Sequence, residues 1–173
     1  DTEVLLQGYI EYEENILNKL RGQFAFVIYD KITNELFMAR DRIGIKPLYY
    51  SVNDNWILFG SEIKAIELSK LIEFEPDIDS YLAYLRHLCV PADSTGNKNI
   101  KKLEPGQFIR IDKNGKISKK IYWDPFTFSV NHDLNEKNVV EVLDRLLNES
   151  VEYRKVSDVE VGLFLSGGLD SSL

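Results

Sequence analysis

Toward its end the chain passes from an apolar run, Val161-Gly162-Leu163-Phe164-Leu165, straight into Ser166-Gly167-Gly168-Leu169-Asp170-Ser171-Ser172. Few local sequences limit a fold so narrowly. The apolar run predicts a buried strand over Val159 to Leu165. Adjacent glycines then let the backbone turn tightly and present successive N–H groups to an anion. Ser166, Ser171 and Ser172 add hydroxyl donors, and a following helix would aim its positive end at the same spot. Clusters of Ser, Gly and Asp also mark ordinary turns. The strand-like run ahead of this one favours a phosphate loop. It is not the G-x-x-x-x-G-K-[ST] type, because the lysine is absent.

Charge narrows the partners. The 173 residues carry 21 Lys and Arg against 28 Asp and Glu, a net charge of −7, which argues against nucleic acid. Lys98, Lys101 and Lys102, and again Lys116, Lys119 and Lys120, gather locally, but turn formers and acidic residues surround them, as on a solvated surface. No stretch approaches the roughly 20 apolar residues of a membrane span, and Asp1-Thr2-Glu3 is unlike a signal peptide. The single cysteine, Cys89, excludes an intrachain disulfide and suits a reducing cytoplasm. Cys89 is expected to be a small packed residue, and neither it nor His87 and His132 has zinc-ligand spacing. The first residue is not Met, and the last lies just past a loop that should lead into a helix. An internal fragment is therefore expected.

Periodicity predicts the elements. Leu5, Tyr9, Ile16 and Leu20 recur at helical spacing over residues 2–20, with Asp1 in the N-cap position. Gln23 to Asp30 is apolar on both faces, which predicts a strand covered on both sides, and Glu35 to Arg40 returns from it. Leu48–Val52 and Trp56–Phe59 predict a second hairpin, Ser61 a capped helix through Leu68, and Asp77 to His87 a further helix. Phe108–Ile111 and Ile117–Tyr122 bracket Asp112-Lys113-Asn114-Gly115, a hairpin signal. Residues 124–135 hold breakers without periodicity and read as a linker. Val139, Leu143, Leu146, Leu147 and Val151 then describe an amphipathic helix to about Lys155. Helix, strand, loop and an expected helix open an α/β nucleotide-binding sheet.

Two sets of residues carry a family resemblance. S-G-G-L-D-S-S resembles the pyrophosphate loop of the N-type ATP pyrophosphatases. Ala39-Arg40-Asp41-Arg42-Ile43-Gly44-Ile45-Lys46-Pro47-Leu48-Tyr49-Tyr50 resembles a signature of class II glutamine amidotransferase domains. Leu20-Arg21-Gly22-Gln23-Phe24-Ala25-Phe26, Ser61-Glu62-Ile63-Lys64-Ala65 and Leu103-Glu104-Pro105-Gly106 match beside it. In that order they resemble glutamine-hydrolysing asparagine synthetases across essentially the whole chain. The resemblance implies an α/β architecture in two parts. Residues 1–123 would be the C-terminal part of an α/β/β/α glutaminase domain of the N-terminal-nucleophile type, and 124–135 a linker. Residues 136–173 would begin an adenine-nucleotide α-hydrolase-like α/β domain.

The implied chemistry is ATP-dependent amidation of aspartate through β-aspartyl-AMP, with ammonia from glutamine and release of AMP and pyrophosphate. Glutamine, aspartate and ATP would be the substrates, Mg²⁺ the cofactor and the cytoplasm the location, with the oligomeric state left open between a monomer and a homodimer. The resemblance places Asp1 on the α-amino group of glutamine, a natural carboxylate–ammonium pair, although Asp1 also suits a simple cap. Ser166, Gly167, Gly168, Ser171 and Ser172 would hold pyrophosphate, Leu165 would border the nucleotide through its backbone, and Asp170 would bind Mg²⁺. The family's nucleophile is an N-terminal cysteine, which this chain lacks, so the fragment alone is expected to be inactive. Gly44 and Pro47 are expected to shape a strand connection, and Arg40, Asp41 and Arg42 to form an ion-paired network. The rival readings are a sister enzyme acting on another carboxylate, a β-lactam-forming relative, and a non-catalytic binding module.

Overall fold

The computed structural model describes residues 1–53, 55–91, 93–129, 135 and 138–172, so His132 and residues 130–134 of the predicted linker lie outside the described residues. The chain divides into two compact units, Asp1–Thr127 and Phe128–Leu173.

In the first unit, strand β2 (Glu35–Arg40) is the pivot. It pairs antiparallel with β1 (Ala25–Asp30) on one side and β6 (Gln107–Ile111) on the other. Strand β7 (Ile117–Ile121) completes a sheet of order β1-β2-β6-β7. Alternation sends β2 side chains into two separate cores. Phe37 and Ala39 join Phe108 and meet Ile16 and Leu17 on the helical side. Met38 joins Ile109, Ile111, Leu48 and Leu103 on the other. Strand β1 does the same, with Phe26 and Ile28 on the first core and Ala25 and Val27 on the second. That accounts for its apolar character on both faces.

The second core is closed by a smaller antiparallel sheet of order β4-β3-β5, from β3 (Tyr49–Val52), β4 (Ile57–Gly60) and β5 (Lys101–Lys102). Helix α3 (Ile63–Glu67) covers its far side through buried Ile66. Helix, sheet, sheet and helix are therefore layered in that order, the α/β/β/α arrangement. Strand β5 was not legible beforehand, being two lysines paired with Tyr49 and Tyr50.

Several expectations are corrected in detail. The first helix is not continuous: α1 (Thr2–Tyr12) ends at Glu13, whose φ is +48°, and the chain resumes as α2 (Ile16–Lys19) after a 3₁₀ turn. Both pieces flank the same core, so the spacing of apolar residues persists across a break it does not reveal. Ser61 is not the cap of α3. Glu62 stands at that position, with no side-chain capping bond. Cys89 is exposed rather than packed, because Leu88 closes α4 (Ile78–His87) in the left-handed conformation and the chain leaves the helix there. Three of the clustered lysines are ion-paired: Lys98 to Glu75 at 2.7 Å, Lys119 to Glu104 at 3.3 Å and Lys120 to Glu14 at 3.0 Å.

Asp77 does cap α4, its carboxylate accepting the Ser80 N–H at 3.3 Å and the Ser80 hydroxyl at 2.6 Å. Asp30 likewise accepts the N–H groups of Ile32 and Thr33, and Asp112 those of Asn114 and Lys116. These bonds favour the ionised form. The Ser80 hydroxyl holds Asp77 below the ordinary carboxylate range, the Ile32 N–H does so for Asp30, and the Lys116 N–H for Asp112. The unfolded chain then binds these protons more readily. Their contribution is fully present above about pH 4 and is lost as pH falls through the lower folded values. Acid titration of the unfolding free energy should show that decline below about pH 4. Asp77→Ala should remove about 1 kcal/mol at neutral pH and flatten part of the decline.

The second unit holds α5 (Val139–Arg154) and a short turn of helix, α6 (Leu169–Ser172). The strand predicted over Val159 to Leu165 is absent, and Phe164 is 97% exposed. A lone strand has no ladder partners, and no strand is described elsewhere in this unit to supply them.

Candidate functional site

Within the second unit, the predicted phosphate-loop residues converge on one small turn. The Ser166 and Ser171 hydroxyl oxygens lie 2.9 Å apart. The Gly168 N–H donates to Ser166 Oγ at 3.4 Å, and the Ser171 and Ser172 hydroxyls donate to the Gly168 carbonyl at 3.1 and 2.8 Å. Gly167 has φ +78°, and no atom lies within 4 Å of where its Cβ would stand. Glycine is therefore needed for the conformation, and its absent side chain leaves open space beside three hydroxyls. That donor set suits a phosphate, which takes only hydrogen-bond donors and cations. Leu165 precedes the turn with its side chain exposed, and its main chain is what adjoins the loop.

Asp170 is exposed in the first turn of α6. Among the described residues no group of three or more His, Cys, Asp or Glu is assembled to hold a metal. A single carboxylate fits Mg²⁺ only when phosphate oxygens and water fill its other positions, which is how that ion is commonly held beside nucleotides.

Asp1 stands at the N-cap of α1. Its carbonyl accepts the Leu5 N–H at 3.1 Å, but its carboxylate makes no capping bond. The simple-cap reading is thus corrected. A cleft of about 700 Å³ between the β3–β4 and β6–β7 turns, walled by Trp56, Ile57, Asn114 and Ile117, contains none of the predicted site residues.

The Arg40–Pro47 motif is not an ion-paired network. Arg40, 8% exposed, donates to three main-chain carbonyls: Nε to Lys46 at 2.7 Å, Nη1 to Leu103 at 2.6 Å and Nη2 to Gly44 at 2.6 Å. Asp41 accepts three N–H groups, from Ile43 (3.2 Å), Ile45 (3.0 Å) and Lys46 (3.0 Å). Arg42 donates to the Asn18 carbonyl at 3.4 Å. Burial lowers the pKa of Arg40, against the pull of the Asp41 charge.

The Leu103–Gly106 motif is the other half of the same knot. The Gly106 N–H donates to the Asp41 carbonyl at 3.0 Å, and its own carbonyl accepts the N–H groups of Tyr122 and Trp123. The Tyr122 hydroxyl, pushed well up from the usual phenol range by burial, donates to the Arg40 carbonyl at 2.8 Å. Two motifs some sixty residues apart thus brace one irregular loop. Tyr122 was missed as a member. Its only sequence signal was its place at the end of the β7 run.

The layering and the order of these motifs accord with the resemblance to glutamine amidotransferase domains. The profile of the "Glutamine amidotransferase domain" family matches residues 1–123, and the chain belongs to that family.

Residues 142–173 match the "Asparagine synthase" family. Asparagine synthetase [glutamine-hydrolyzing] 1 of Bacillus subtilis (strain 168) is 41% identical over 172 residues, covering 99% of this chain and 27% of that protein. Asparagine synthetase [glutamine-hydrolyzing] 3 of the same organism is 39% identical over 175 residues, again 99% of this chain and 28% of its own length. Amidase chry2 of Gibberella zeae is 35% identical over 176 residues, 99% of this chain and 25% of its own. The chain therefore spans about a quarter of the length of these relatives. No helix among the described residues is long and apolar enough to cross a membrane.

Proposed function

We propose that this chain belongs to a longer enzyme that makes asparagine, and that it contributes part of the glutaminase domain together with the pyrophosphate loop of the synthetase domain. The observation that carries the reading is the conjunction in one chain of the amidotransferase match over 1–123 with a serine-lined, glycine-opened turn at 166–172. The boundaries proposed are residues 1–123 and 136–173, joined by 124–135.

In this reading the glutaminase domain hydrolyses glutamine, with the Asp1 carboxylate holding the substrate's α-ammonium group. That pairing is supported by a carboxylate not committed to a helix cap. In the second domain the aspartate side-chain carboxylate attacks the α-phosphorus of ATP, forming β-aspartyl-AMP and expelling pyrophosphate. Ammonia then attacks the acyl carbon, and AMP leaves with its bonding pair. Ser166, Ser171 and Ser172 turn their hydroxyls from each other and from the Gly168 carbonyl onto the departing pyrophosphate. The exchange is inexpensive for exposed hydroxyls, which rotate about one bond. Gly167 and Gly168 offer backbone N–H groups, and the Leu165 main chain borders the nucleotide. Asp170 would hold Mg²⁺, which when bound neutralises charge on the phosphate oxygens. In this reading the 173-residue chain alone is inactive and the enzyme is cytoplasmic.

Asp170→Ala in the longer enzyme should reduce ATP-dependent pyrophosphate release at least about 100-fold, some 3 kcal/mol of transition-state stabilisation. Glutamine hydrolysis should stay near its original rate. Pyrophosphate release at the unaltered rate would remove Asp170 from the site. A second reading, action on another acceptor, is favoured by the similarity to Amidase chry2. It predicts pyrophosphate release that does not depend on aspartate.

A further inference from the structure

Helix α1 carries Asp1 at its start and ends in a bend that backbone sterics disfavour. Glu13 opens the 3₁₀ turn Glu13–Asn15 with φ +48°, left-handed backbone that a residue with a Cβ seldom adopts. Such a conformation persists where its surroundings over-determine it. Around the bend, α1 packs back on α2. Ile16 Cδ1 stands where a Cβ on Gly8 would be, and Lys19 Nζ lies 4.3 Å from the centre of the Tyr12 ring. Tyr9 seats the helix on the sheet, its ring stacked on Phe37 at 5.0 Å between centroids.

Arg110, on β6, reaches both the seat and the bend. Its guanidinium carbon is 5.9 Å from the centre of the Phe37 ring. Nη2 lies 3.8 Å from Glu13 and 3.6 Å from Glu14, and Nη1 lies 3.4 Å from Glu35 on β2. Lys120 on β7 meets Glu14 at 3.0 Å. Three carboxylates thus converge on two cations, and both cations stand on the sheet. Without the Arg110 charge the carboxylates would repel one another across the turn. Asp1 is at the far end of α1 from this cluster. The helix has 11 residues and is about 16 Å long, so a tilt of about 10° at Glu13 displaces Asp1 by about 3 Å.

We infer that Arg110 is a positioning residue for glutamine: it latches the Glu13–Asn15 turn to the sheet and so holds α1, and with it the Asp1 carboxylate, where the substrate's ammonium group is met. The inference rests on the proposed role of Asp1, through which Arg110 acts. Partly exposed ion pairs are individually weak, so the latch sets how often α1 is seated rather than whether the domain folds. Apparent affinity scales with the seated fraction. A helix seated one-tenth as often binds glutamine about tenfold more weakly, yet turns it over at the same rate once saturated.

The test is steady-state glutamine hydrolysis by the longer enzyme, with ammonium-dependent pyrophosphate release measured beside it. Arg110→Gln should raise KM for glutamine about tenfold, keep kcat within about twofold and leave the ammonium-dependent rate unchanged. Arg110→Lys, which keeps the charge, should stay within about threefold of the original KM. Glu13→Gln with Glu14→Gln, which releases the turn from its own side, should raise KM about fivefold. Asp1→Asn should raise KM at least about 30-fold. In that background Arg110→Gln should add less than about twofold, because its effect passes through Asp1. An unaltered KM in Asp1→Asn would remove the role of Asp1, and the inference with it. If Asp1→Asn behaves as stated, three results would overturn the latch alone. They are an unaltered KM in Arg110→Gln, its full tenfold effect persisting in the Asp1→Asn background, and a loss of ammonium-dependent release.

Discussion

Arg40→Ala should destabilise the amidotransferase unit by about 3–5 kcal/mol. The guanidinium is almost fully enclosed and spends all three nitrogens on the carbonyls of Gly44, Lys46 and Leu103. Charge-assisted bonds of this kind are individually strong. Their loss also leaves three carbonyls facing the interior without a donor, and water has little access to replace it. Urea unfolding followed by tryptophan fluorescence should show the midpoint fall with little change in slope. Arg40→Lys should recover less than half of the loss, because one ammonium does not reproduce a planar fork aimed at three divergent acceptors. A loss under about 1 kcal/mol for Arg40→Ala would mean that the loop is held by something else.

Gly106→Ala should cost about 3–4 kcal/mol, against about 1 kcal/mol for Gly115→Ala. Both glycines have positive φ, +65° and +79°, so each substitution meets the same backbone penalty. They differ in surroundings. A Cβ on Gly106 would collide with the Trp123 carbonyl oxygen, a main-chain atom that no rotamer moves aside, whereas nothing lies within 4 Å at Gly115. Relieving the collision would also pull on the bonds from Gly106 to Asp41 and from Tyr122 and Trp123 back to Gly106. Parallel thermal melts of the two variants isolate the steric part. Equal shifts would show that the Trp123 segment yields freely.

How much of this was legible beforehand depended on whether side chains or main-chain atoms did the work. Alternation in Phe24–Tyr29 required a strand with a core on each face, and two cores are present. The Asp112–Gly115 signal reached the right turn because it is a local side-chain-to-backbone bond, whereas Asp77, read as the first helical residue, proves to be the cap. The Arg40 knot was not legible in its true form. Adjacent opposite charges suggest ion pairing, but the acceptors are carbonyls, which every residue possesses and no residue type announces. Likewise an amphipathic stripe in Ile78–His87 predicts a helix without saying which side faces inward, and here Ser80 does. The apolar run before Ser166 signals burial without naming its neighbours, and in this unit it has none in a sheet. In the loop the adjacent glycines announced a tight turn, and Gly167 does adopt a positive φ there, beside the hydroxyls of Ser166, Ser171 and Ser172.

The most direct test of the account is pyrophosphate release by the longer enzyme supplied with Mg-ATP, with and without aspartate, and with glutamine or ammonium as nitrogen source. The account predicts release that requires aspartate, proceeds with either nitrogen source, and yields one asparagine per pyrophosphate. Release indifferent to aspartate, or none at all, would contradict it.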